Sequence, residues 1–98
     1  VLESAFALFR QGARVEQVAA NLSRAVSTTR TYLDAYIRAE GIADPTPWVD
    51  AEIVRRIETA VDEAEGRSLK TIYDRLDGKC QYDDIRIVLA CRAQREAT

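Results

Sequence analysis

The chain has 98 residues, 47% of them apolar and 31% charged, enough for one domain around one core with an ordinary globular balance. No apolar run approaches the roughly 20 residues that span a bilayer, and no signal-peptide pattern opens the chain, so no membrane partner is expected. The net charge of −2 lacks the basic excess of a strong nucleic-acid binder.

The distribution of charge says more than the total. Residues 1–41 carry five Arg against four acids, residues 42–66 two Arg against seven acids, and residues 67–98 seven Arg or Lys against five acids. The acidic excess is confined to the middle, and both ends are left mildly basic. Phosphate contacts would be few, so any DNA binding is expected to be weak and salt-sensitive. The first residue is Val1, and either excision from a longer protein or processing accounts for it.

Leu2 to Gln11 is predicted as a first helix, with Leu2, Ala5, Phe6 and Phe9 as its apolar stripe, Leu8 widening it and Gly12 ending it. Phe6 and Phe9 are too large to leave in water and belong in the core. Val15 to Leu22 (VEQVAANL) reads as a short second helix with Val15, Val18, Ala19 and Leu22 on one side. Ser23-Arg24-Ala25-Val26 then forms a turn, with Val26 pointing inward. Ser27 to Glu40 (STTRTYLDAYIRAE) is predicted as a helix with two faces, N-capped by Ser27 and stopped by Gly41. Thr29, Leu33, Tyr36 and Ile37 make its buried stripe, while Arg30, Thr31, Asp34 and Arg38 fall outside it. Two amphipathic helices about four residues apart have the form of a helix-turn-helix, whose second helix meets DNA with its exposed leading end. Ala19 is small where the two helices cross.

Ile42 to Val49 (IADPTPWV) breaks the helical pattern, because Pro45 and Pro47 exclude a continuing helix. It reads as an ordered connector anchored by Trp48 and Val49. Trp48 either staples the connector to the core or stacks on a base. With no flanking basic cluster, the core role is favoured.

Asp50 to Glu65 is the clearest helix, capped by Asp50, with Ile53, Val54, Ile57, Ala60, Val61 and Ala64 on one face and Gly66 after it. Its acids Glu58, Asp62, Glu63 and Glu65 read as a solvated face rather than a metal or acid–base site, a face that repels DNA. Ser68 to Leu76 is a shorter helix with Leu69, Ile72, Tyr73 and Leu76 inward and Gly78 at its end. Tyr82 to Arg95 is the last, with Asp83 and Asp84 in its first turn and Arg92 and Arg95 in its last, both suited to the helix dipole. Ile85, Val88, Leu89 and Arg92 mark one face, with Ile87 and Cys91 beside it. Such broad apolar surface makes this helix either central or the site of contact with another chain.

No alternating strand pattern appears. The chain reads as all-α, a single domain over residues 1–98 with about six short helices. A helix-turn-helix unit (1–41), a connector (42–49) and a C-terminal three-helix unit (50–95) compose it. Cys80 and Cys91 match no zinc or redox spacing, and the chain has no histidine to complete a metal site. They read as two thiols, at least one buried. No cofactor and no catalytic residue is expected, since neither a nucleophile with a visible base nor a glycine-rich loop is present.

Four stretches together resemble a known family: ALFRQGARVEQVA, STTRTYLDAYIRAEG, the acid-capped helix from Asp50, and SLKTIYDRL followed by QYDDIRIVLA. Over residues 5–92 their order and spacing are similar to the helix-turn-helix domain at the C-terminal end of RecQ-type DNA helicases, including the Werner helicase, and of some other bacterial helicases. The family tends to have Gly near Ser23, an aliphatic residue near Arg24 and His at Tyr32. The resemblance implies a non-catalytic accessory module whose parent protein supplies the ATPase, in DNA repair or recombination, in the cytoplasm at the bacterial nucleoid.

The expected DNA contacts are Arg24, Ser27, Thr28, Arg30 and Thr31 at the start of the second motif helix, flanked by Arg14 and Arg38. The alternative is a protein-interaction or self-association module that docks another domain of the parent helicase or a separate protein. A transcription regulator is a further option, but no separate ligand or dimer segment is visible.

Overall fold

The computed structural model describes residues 2–64 and 69–96. Six helices run through them: α1 (Leu2–Arg10), α2 (Val15–Leu22), α3 (Val26–Glu40), α4 (Ala51–Glu63), α5 (Leu69–Arg75) and α6 (Tyr82–Glu96). No strand occurs among the described residues, so the protein is all-α. The expectations for Glu65, Gly66 and Ser68 lie outside the described residues.

α1, α2 and α3 pack on one another as a tri-helical unit, while α4 and α5 pack on α6. The two groups meet through α3 and α6. The expected α3 stripe is the buried one: Thr29, Leu33, Tyr36 and Ile37 all point inward. Thr29 is polar and fully buried, and its hydroxyl is satisfied by donating to the Ala25 carbonyl at 3.0 Å.

Four aromatic rings lock α1, α3 and the connector together. Tyr36 meets Phe6 edge-on at 5.3 Å between centroids and lies 5.6 Å from Phe9. Trp48 meets both Phe9, at 6.3 Å, and Tyr36, at 6.2 Å, in T-shaped contacts. Each such pair contributes about 0.5–1.5 kcal/mol beyond area burial. Trp48 is 7% exposed, so its ring is spent on the core. The connector turns because Pro45 directs its carbonyl to the N–H groups of Trp48 and Val49, both at 3.0 Å.

Three local details differ from expectation. Leu2 is 43% exposed, because the first residue of a terminal helix overhangs the platform formed by Ala5 and Phe9. α3 begins one residue before Ser27, with Ala25 rather than Ser27 as its N-cap. Val26 packs against the core and thereby draws the helix start upstream. On α4, Glu58 and Asp62 are not simply solvated but pair with Arg92 and Arg95 of α6.

The α2–α3 turn holds one of two left-handed non-glycine residues among the described residues, the other being Asp77. Ser23 adopts φ 54, ψ 44, the left-handed conformation that glycine accepts without a Cβ penalty. Its own N–H reaches the Ala20 carbonyl and that of Arg24 reaches the Ala19 carbonyl, closing the end of α2. Ser23→Gly is therefore expected to raise stability by about 0.5–1 kcal/mol, at about 4–8 °C of melting temperature per kcal/mol for a domain of this size. Thermal melts by circular dichroism read the change, and a lower melting temperature in the variant would contradict the strain.

Candidate nucleic-acid interface

The leading end of α3 stands open. Arg24, Ala25, Ser27 and Thr28 are exposed, and α4, the acidic helix, does not pack on α3. No side chain caps the helix start at Ala25, so the first amides of α3 keep their partial positive charge for a ligand. Thr31 is exposed one turn further on, its hydroxyl donating to the Ser27 carbonyl at 3.4 Å. Ser27, Thr28 and Thr31 thus share one outer face with Ala35 and Arg38, at the period set by 3.6 residues per turn.

The arginines fall into distinct environments. Arg24 pairs with no carboxylate among the described residues. Arg38 is exposed and holds Asp34 at 3.0 Å along its own helix, a short-range pair that still leaves the guanidinium in water. Arg30 is different, since it reaches Asp83 of α6 at 3.1 Å, with side chains 35% and 34% exposed. A pair at that exposure is worth about 0–1 kcal/mol. Arg14 lies apart from the outer face of α3. It lines a small cavity of 110 Å³ with Glu16, Arg30 and Asp84. Burial pushes the Asp84 carboxyl above the usual aspartate range, Asp83 adds to the shift and Arg30 opposes it.

Between α3 and α6 runs a groove of 700 Å³. Ser27, Arg30, Thr31, Asp34 and Arg38 line it from α3, and Asp83, Arg86, Ile87, Leu89, Ala90 and Ala93 from α6, over Ile37 and Leu69. Four of the seven expected contact residues, Ser27, Arg30, Thr31 and Arg38, are brought to this one groove, whereas Arg14, Arg24 and Thr28 do not line it. Arg86 was not singled out by sequence. It sits on a helix that periodicity marks only as apolar, and its closeness to α3 arises from packing between residues far apart in the chain.

A family model described as a helix-turn-helix domain matches residues 2–89, from the start of α1 into α6. The chain belongs to the helix-turn-helix domain family. No curated protein and no solved structure matches it significantly. The matched stretch includes the α2–α3 turn with its left-handed Ser23. It also covers Asp83 and Arg86, so α6 up to that point is part of the family's domain rather than an appendage. No helix among the described residues is long and apolar enough to cross a membrane.

Arg92 and the two thiols of this helix-turn-helix domain are committed to structure. Arg92, 22% exposed, gathers Glu58, Asp62 and Glu96 around its guanidinium. Both cysteines are free and buried. Burial raises the Cys80 thiol and, with Asp44 adding to it, pushes Cys91 up to about 12. At about pH 8 only roughly one Cys91 in ten thousand is then thiolate, and the thiolate is the reactive form. A thiol reagent is expected to label neither cysteine in the native protein and both after denaturation. Rapid native labelling of Cys91 would contradict the burial.

Proposed function

We propose that this domain binds duplex DNA through the outer face and leading end of α3, as a non-catalytic accessory domain of a RecQ-like DNA helicase. The observation that carries the reading is the uncapped start of α3. It exposes Arg24, Ser27 and Thr28 beyond a turn held by Ser23. Backbone amides and hydroxyls there suit phosphate oxygens, and an arginine suits phosphate or a guanine edge. The resemblance of the four sequence blocks supports the helicase setting. In that setting the work is DNA repair or recombination in the bacterial cytoplasm, with the ATPase elsewhere in the parent protein.

Binding is modest because few cations are uncommitted. Arg24 is available as it stands, Arg38 needs only to loosen from Asp34, and Arg30 must leave Asp83. The double variant Arg24→Ala/Arg30→Ala is expected to weaken binding to duplex and forked DNA. It also flattens the salt dependence by about 0.9 in logarithmic slope for each phosphate contact removed. Anisotropy titrations at about 50 and 200 mM salt check this, and titrations unchanged at both would overturn the reading.

One observation favours a second reading, a protein-docking or self-association module. Ile87, Leu89 and Ala90 of α6 are only half-buried along the open groove. Light scattering tests this second reading. A mass that doubles with concentration favours self-association, and a monomer at all concentrations weighs against it.

A further inference from the structure

The α3 surface is not bordered by solvent on both sides. α6 packs directly against it, and packed helices lie about 8–10 Å apart. The major groove of duplex DNA is about 12 Å wide, close to the diameter of one helix with its side chains. A helix packed beside the one that enters the groove therefore lies over the phosphate wall of that groove.

At that place α6 offers Arg86. The side chain is exposed, shares the groove with Ser27, Thr31 and Arg38, and pairs with no carboxylate among the described residues. One turn earlier on α6 stands Asp83, which faces α3 and holds Arg30 at 3.1 Å. No aromatic residue lines the groove among the described residues, so they offer it no stacking surface of the kind a single strand would use.

We propose that α6 forms the second wall of the DNA interface, with Arg86 contacting a backbone phosphate beside the groove that α3 enters and Asp83 holding back Arg30. The inference rests on the DNA-binding reading above and extends it to a helix outside the helix-turn-helix unit. A phosphate near Arg86 also approaches Arg30, and the half-exposed pair with Asp83 is weak enough to be exchanged for it. Asp83 thus subtracts from affinity and makes binding conditional on a phosphate at one position.

Three single variants test this by anisotropy with a duplex at about 50 and 200 mM salt. Arg86→Ala is expected to weaken binding about three- to tenfold at the lower salt and to reduce the logarithmic salt slope by about 0.9. Arg86→Lys retains most of the affinity, since a phosphate contact needs charge more than shape. Asp83→Asn strengthens binding about two- to fivefold, by freeing Arg30 and removing a like charge from the phosphate. Arg55→Ala, on the exposed side of α4, is the control, and melting curves confirm that each variant is folded.

If Arg86→Ala and Asp83→Asn both match the control while Arg24→Ala/Arg30→Ala still weakens binding, α6 is outside the interface and only this inference falls. If the unaltered protein binds no duplex at either salt, both readings fall. A change in oligomeric mass on Arg86→Ala without a change in DNA affinity overturns the inference in favour of a protein partner.

Discussion

The domain depends on α3 being gripped from three sides at once, by α1, α2 and α6. Helices of about 12–15 residues are marginal in water, so α3 is held by what it buries. Leu33 and Ile37 are fully buried, and each such side chain contributes about 1.5–3 kcal/mol. Tyr36 sets its ring against Phe6 and Phe9 of α1 and against Trp48 of the connector. That grip fixes which narrow stripe of α3 remains outside. That outer stripe includes Ser27, Thr28, Thr31 and Arg38.

The grip by α6 explains a helix that does not look amphipathic. Ile85, Val88 and Cys91 are buried, and Ile87, Leu89 and Ala90 are half-buried. Apolar positions spread around α6 because it contacts α3, α4 and α5, and a helix surrounded by neighbours has no wide polar side. Its polar residues gather at the ends instead. Asp83 meets Arg30 near the start, and Arg92 and Arg95 meet the carboxylates of α4 near the finish.

Those end contacts sort the charges of a chain that is slightly acidic overall. Glu58 and Asp62 of the middle segment face α6 arginines rather than α3, which keeps their charge away from the α3 surface. Asp83 and Asp84 do the opposite. They bring carboxylates to the flank of α3, and the burial of Asp84 next to Asp83 opposes its ionisation. An interface built this way relies on a few arginines and on helix-end amides rather than on a strong basic field.

The number of helices, their places in the chain and the inward stripe of α3 were legible from periodicity, prolines and helix-end residues. These are local signals, and local geometry alone produces them. The core position of Trp48 was legible for the same reason, as a lone aromatic beside prolines and without cations. The N-cap was not, because Ser27 is the better capping residue but the burial of Val26 moved the start of the helix to Ala25. Serine at position 23 read as a departure from glycine, yet it adopts the left-handed conformation with the end of α2 closed on the Ala19 and Ala20 carbonyls. The pairing of Arg30 with Asp83, the exclusion of Arg14 from the α3 face and the arrival of Arg86 beside it were invisible in sequence. All three depend on how α6 docks on α3, and the contacts that decide that docking join residues roughly half the chain apart, which no local pattern records.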